Sequence, residues 1–164
     1  MAEGAVPMLI AAILASAPMP AAGTWPVYRN QRFGYEICYP ADLLKPEREA
    51  DNGDGRRFSG SGGVRMLVFG QYNALDQDLA SWAQGAAQVY LGKRGRVIYR
   101  AGRKDWAVIS GTDGKGNIFY TRTIRDKAND AYVTYQLRYP DGRQQRYGPV
   151  IARLNRCFGL ARGG

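Results

Sequence analysis

This sequence predicts an α+β fold: an antiparallel β-sheet of about six to seven strands with a helix layer on each face, an α/β/α sandwich. Three observations point there. Short apolar runs alternate with polar residues and are separated by clusters of Gly, Asp, Asn and Ser, the pattern of strands joined by tight turns. Two stretches, one in mid-chain and one near the C-terminus, carry apolar residues at helical spacing. Cys38 and Cys157 fall near the first strand and in the last helix, so a bond between them would fix which face that helix covers.

The 164-residue chain is 45% hydrophobic and 23% charged, ordinary for one globular domain and too apolar for a disordered one. It contains no histidine. That excludes Ser-His-Asp and Cys-His nucleophile activation and any zinc site with a His ligand. Two cysteines cannot build a zinc or iron–sulfur centre alone. No catalytic residue, cofactor or metal is expected.

Val6 to Ala15 (VPMLIAAILA) is apolar but too short to span a bilayer, which takes about 20 residues. Its length suits the apolar region of a signal peptide, and Ala21-Ala22-Gly23 supplies small residues before a cleavage at Thr24. The usual N-terminal Lys or Arg is missing, with Glu3 in its place. A buried helix is the alternative, opposed by Pro7, Pro18 and Pro20. The expected organisation is a signal peptide over residues 1–23, one α+β domain over 24–160 and a frayed tail over 161–164. The expected location is the bacterial periplasm or the exterior, where two cysteines form one disulfide, Cys38–Cys157.

The elements follow in order. Phe33–Tyr39 (FGYEICY) alternates as a strand, and Pro40 ends it. Ala41–Arg48 reads as a loop or a short turn of helix. Asp51–Gly55 (DNGDG) is turn chemistry, and the strands Arg56–Ser59 and Val64–Gly70 should form a hairpin around Gly60–Gly63. Asn73 is a plausible N-cap for a helix whose stripe is Leu75, Leu79, Trp82, Ala83 and Ala86, ending near Tyr90 before Gly92. Four strands follow, Arg96–Ala101, Asp105–Gly111, Asn117–Asp126 and Ala131–Tyr139, joined by short turns that favour antiparallel order. Pro149 suits a helix start, Val150, Ile151, Leu154, Cys157 and Phe158 form its apolar stripe, and Gly159 closes it. Cys38 lies on the strand face opposite Phe33, Tyr35 and Ile37. A Cys38–Cys157 bond would therefore put the last helix over the Cys38 face and leave the Phe33 face to the Trp82 helix.

The order of three strands, helix, four strands and a C-terminal helix, entered through Phe33-Gly34-Tyr35 and Tyr39-Pro40, resembles the PsbP-like fold. Photosystem II extrinsic subunits, the Ran-binding Mog proteins and bacterial DcrB-like domains share it. The run Tyr39–Leu44 through Asn52–Phe58 is also similar to a group of exported bacterial proteins. The resemblance covers most of Tyr28–Phe158 in element order, and its motifs specify turns and core contacts. It implies a binding or assembly module and carries over no catalytic residue.

Other patterns fail on spacing. An EF-hand loop begun at Asp51 would need oxygen ligands where Gly53 and Gly55 stand and a Glu where Gly62 stands. Gly60-Ser61-Gly62-Gly63 lacks the Lys-Ser/Thr ending of a phosphate loop and precedes a strand. Asp51 with Asp54, and Asp76 with Asp78, have sufficient roles in a turn and a helix start. Glu36 calls for an arginine partner.

The charge is the remaining signal. Lys and Arg number 23 against 14 Asp and Glu, for a net +9, and 18 of the 23 are Arg, whose planar fork suits phosphate and carboxylate. Lys93, Arg94, Arg96, Arg100, Arg103 and Lys104 place six cations within twelve residues, and Arg138, Arg143, Arg146, Arg153 and Arg156 surround the last helix. By alternation Arg96 and Arg100 share a strand face, and Arg122 approaches Arg138 on a neighbouring strand. These four, with Tyr99 and Tyr139, would line a basic groove for an anionic partner; a solvated face accounts for the same residues. No nucleic-acid-binding signature accompanies the charge. The expected role is a non-catalytic exported binding or assembly module for a protein or an anionic envelope ligand, whose binding Arg96→Ala plus Arg100→Ala would abolish. The alternatives are a secretion chaperone or toxin immunity protein, with an exposed apolar patch, and a carboxylate-dependent hydrolase, with two facing acids and one raised pKa.

Overall fold

The computed structural model describes residues 23–161. In chain order the elements are β1 (Val27–Asn30), β2 (Tyr35–Cys38), β3 (Lys45–Glu49), β4 (Gly55–Ser59), β5 (Arg65–Tyr72), α1 (Leu79–Leu91), β6 (Arg96–Gly102), β7 (Trp106–Thr112), β8 (Asn117–Asp126), β9 (Ala131–Pro140), α2 (Gln144–Cys157) and β10 (Gly159–Leu160). The leader expected over 1–23 lies outside the described residues except for Gly23. The tail does so beyond Ala161, which donates its N–H to Gly34 O at 2.7 Å.

Seven strands form an antiparallel sheet in the order β3-β4-β5-β9-β8-β7-β6. β6 to β9 are a meander, and the crossover through α1 brings β9 beside β5. The expected hairpin is β4–β5, with Phe58 opposite Met66. The four later strands fall where alternation predicts them.

Side-chain alternation along β9 defines two faces. Tyr132, Thr134, Gln136 and Arg138 point toward α1; Val133, Tyr135, Leu137 and Tyr139 point away. On the α1 face, Ala83, Ala87 and Leu91 recur at four-residue spacing and pack on Ile109 and Phe119. Gln136 Nε2 donates to Ala86 O at 2.8 Å, and Trp82 stacks on Tyr132 with centroids 4.6 Å apart.

The opposite face is covered by α2 together with a second sheet of three short strands, β1-β2-β10. Tyr135 donates to Asn155 Oδ1 at 2.7 Å, Tyr139 stacks on Tyr147 at 4.6 Å, and Phe158 meets Tyr35 and Tyr135 edge-on. Both sides of the main sheet are thus packed, but the α2 side is half sheet, not a helix layer.

That arrangement corrects several expectations. The FGYEICY strand belongs to the small sheet, so Phe33, Tyr35 and Ile37 face the α2-side core and not the Trp82 helix. The reason is that β2 forms its own layer: its partners β1 and β10 are residues the alternation did not flag. Cys38 and Cys157 are disulfide-bonded, with Cα atoms 5.7 Å apart, tying β2 to the end of α2. Where a loop or a short turn of helix is expected over Ala41–Arg48, Lys45–Glu49 is an exposed edge strand carrying Pro46 and charges, residues that discourage further pairing.

Both helix starts also shift. α1 begins at Leu79 because Asp78 caps it, accepting from Ser81 N at 2.7 Å. Asn73 instead bonds the backbone of Gln77 twice, and Asp76 has a positive φ of 49°, so the chain cannot be helical there. Leu75 is left 80% exposed. α2 begins at Gln144, five residues before Pro149, which lies inside the helix. The proline removes one backbone donor, and the turn ahead of it is closed by the Arg146 and Tyr147 N–H groups on Arg143 O.

Candidate anion-binding groove

The expected four-arginine groove divides between the two faces. β6 carries a bulge between Val97 and Tyr99, with Ile98 as the extra residue. The bulge reverses the alternation beyond it: Arg96 pairs with Thr112 on the α2 side, whereas Arg100 pairs with Ile109 on the α1 side and donates to Gln84 of α1 at 2.8 Å. Arg122 and Arg138 are also on opposite faces. Arg122 pairs with Tyr135 and stacks 4.6 Å above Trp106, while Arg138 pairs with Phe119. Tyr139 is buried against Tyr147 and lines no groove; Tyr99 is half exposed at the sheet edge. Glu36 finds its arginine across β1–β2, with Arg29 Nε 3.0 Å from its carboxylate.

Arg138 has different company. Its cross-strand partner on β5 is Arg65, directly opposite in register, and Arg57 of β4 lies on the same face one strand further on. Phe58, Met66 and Val68 point into the α2-side core, which forces Arg57, Arg65 and Leu67 outward beneath α1. The three arginines surround a depression of about 190 Å³ floored by Leu67 and bordered by Tyr90 and Glu47. None has a carboxylate within ion-pair distance among the described residues. Like charges directly opposite on neighbouring strands destabilise a sheet. Three unpaired cations beside one acid, Glu47, therefore leave a net positive site.

The depression continues in two directions along the α1 face. Toward β3 and β4 it opens into a cavity of about 380 Å³ lined by Glu47, Arg48, Asn52, Asp54, Arg56 and Arg57. There Arg48 is paired with Asp51 and Arg56 with Glu49, so their charges are partly spent. Beside α1 it opens into a trough of about 510 Å³, floored by Leu67 and Phe69 and walled by Trp82, Ala86, Val89 and Tyr90. The Tyr90 phenol donates to Gln136 Oε1 at 3.1 Å; burial raises its pKa, and the charge of Arg138 pulls it part of the way back. Arg100 lines a separate cavity of about 600 Å³ on the other flank of α1, with Arg103, Lys104 and Asp78.

Sequence reasoning missed Arg57 and Arg65. The β4–β5 alternation places both outward, a signal available in the sequence. Their juxtaposition with Arg138 depends on the β5–β9 pairing, which joins segments about 70 residues apart and which no local pattern specifies.

No family model and no curated protein sequence matches the chain. Its structure does match solved structures. The cyanobacterial PsbP protein (CyanoP) of Synechocystis sp. PCC 6803 superposes with a TM-score of 0.62 at 13% identity, covering 90% of this chain and 98% of that one. The fold is PsbP-like. The Ran-binding protein Mog1p of Saccharomyces cerevisiae has the same PsbP-like architecture, with a TM-score of 0.61 at 9% identity over 84% of this chain and 96% of its own. A point mutant of Mog1 gives the same score over 85% of this chain. The resemblance drawn from Phe33-Gly34-Tyr35 and Tyr39-Pro40 thus identified the fold. No described helix is long and apolar enough to cross a membrane.

Proposed function

We propose that this protein is an exported, non-catalytic binding or assembly module that takes an anionic partner at Arg57, Arg65 and Arg138. The observation that carries the reading is the directly opposed Arg65–Arg138 pair, neither member of which makes a salt bridge among the described residues. Its repulsion lowers stability unless an anion neutralises it, as in sites retained for binding. The Cys38–Cys157 disulfide supports a periplasmic or secreted location, since such bonds persist in oxidising compartments. The solved proteins it resembles include one named for binding Ran, which supports a partner-binding role at the level of fold.

The hydrolase alternative gains no support: the carboxylates with displaced titration, Asp78, Asp105 and Asp113, are all shifted down by hydrogen bonds or Lys127, opposite to a general acid. The protein-partner alternative is favoured by one observation. β6 is an edge strand of the main sheet and exposes Ile98 and Tyr99, at 69% and 55%.

The test compares retention on poly-L-glutamate for two variants of equal net charge. Arg57→Gln/Arg65→Gln/Arg138→Gln should weaken binding at least tenfold in a chain that circular dichroism shows still folded. Arg143→Gln/Arg146→Gln/Arg156→Gln, on exposed parts of α2 and its approach, should leave binding nearly unchanged. Equal losses in both would show that net charge alone attracts polyanions and would remove the site.

A further inference from the structure

The trough beside α1 adds a second chemistry to the basic end. Together with the basic depression it follows β5 from Arg65 to Gln71, roughly 20 Å at strand spacing. Its floor is Leu67 and Phe69, both only partly covered, and its wall includes Val89, which is 73% exposed on α1. Val89, Leu67 and Phe69 share one apolar lining, and covering such surface is favourable in water.

Over the apolar floor the polar side chains are matched to one another: Gln136 accepts from the Tyr90 phenol and donates to Ala86 O, while Gln71 and Gln77 stand at the far end. An extended peptide laid over Leu67 and Phe69 would bury N–H and C=O groups against carbon. A hydrocarbon chain carries no such groups. The α1 wall is low at one point: Ala86, four residues from both Trp82 and Tyr90 on the face that borders the trough, carries only a methyl.

We propose that the groove holds a single-chain anionic amphiphile. Its phosphate or carboxylate head sits among Arg57, Arg65 and Arg138, and its acyl chain lies along Leu67, Phe69 and Val89. This rests on the reading of the basic end as an anion site and adds the chemistry of what the anion is attached to. Charge complementarity places the head, since the three cations lie at one end of the trough and Gln71 and Gln77 at the other. Arginine's fork suits either head group.

The experiment is calorimetric titration of the oxidised full chain with dodecyl phosphate, below its micellar concentration, and with butyl phosphate. Dodecyl phosphate should bind at least tenfold more tightly, roughly what burial of two methylenes supplies. Ala86→Leu enlarges a side chain on the helix face that walls the trough, with one good helix former replacing another, and should erase that chain-length gain while leaving butyl phosphate affinity unchanged. Arg65→Gln/Arg138→Gln should weaken both ligands. Equal affinity for the two chain lengths, or a gain that survives Ala86→Leu, overturns the acyl assignment and leaves the basic end standing. Tighter capture of an acidic peptide that Ala86→Leu abolishes overturns it in favour of a protein segment. Loss of both phosphates together with poly-L-glutamate retention in the native chain would overturn the anion site itself.

Discussion

Asp113 shows how single residues in the turns hold this sheet together. It sits between β7 and β8, and its carboxylate accepts from Lys115 N at 2.7 Å, Asn117 N at 3.0 Å and Asn117 Nδ2 at 2.8 Å. Burial pulls its pKa up, but those donors and the charge of Arg138 outweigh it and hold the carboxyl below its ordinary value. A depressed folded-state pKa gives stability that is complete above the unfolded value, near 4, and is lost as pH falls through the folded value. The melting temperature of the native protein should therefore fall more steeply between about pH 5 and pH 2 than that of Asp113→Asn. Parallel pH profiles would show that Asp113 contributes nothing to acid stability. The DGKGN turn is legible in the sequence. The bonds by which the carboxylate clamps it are local to the turn; only the added pull of Arg138 depends on where β9 arrives.

Elements are where sequence and structure part most often, and the departures share a cause. Helix starts were misplaced because Asn73 and Pro149 are good boundary residues by type, while their actual roles depend on competing local bonds. Asn73 grips Gln77 in a loop, and Asp78 takes the cap. The bulge at Ile98 is a single inserted residue in β6, invisible to an alternation rule that assumes an unbroken ladder, yet it decides which face Arg100 occupies. Within α1, Gly85 is exposed, helical and free of neighbours at its missing Cβ. Gly85→Ala should raise stability by about 0.5–1 kcal/mol, read as a higher urea midpoint at unchanged slope. A lower midpoint would mean that the position is not open as described. Gly70 is the contrasting case, since the Phe33 ring lies directly over it and leaves no room for a side chain.

On the scale of the whole molecule, the disulfide joins the small sheet to α2 across 119 residues. Closing a loop of that size restricts the unfolded chain, and removing such a bond costs about 2–5 kcal/mol. Cys38→Ser/Cys157→Ser should unfold at a correspondingly lower urea concentration. While folded, it should still bind poly-L-glutamate, because the basic groove lies on the α1 face and the disulfide on the other. Lost binding under conditions where circular dichroism shows a folded chain would mean that the two faces are coupled. An unchanged urea midpoint would mean the cross-link is energetically redundant.

The sequence by itself determined the α+β class, the β4–β5 hairpin, the four-strand meander, the two helices, the Cys38–Cys157 pairing and the PsbP-like resemblance. These rest on short-range periodicity, turn chemistry and a cysteine count that permits one bond. Only the tertiary structure decided that β2 stands in a second sheet, that Arg96 and Arg100 face opposite ways, and that Arg57, Arg65 and Arg138 converge. Each depends on a pairing between distant segments or on one inserted residue. A one-residue change in register carries a side chain to the other face of a sheet, so local pattern cannot tell which surface a charge will serve.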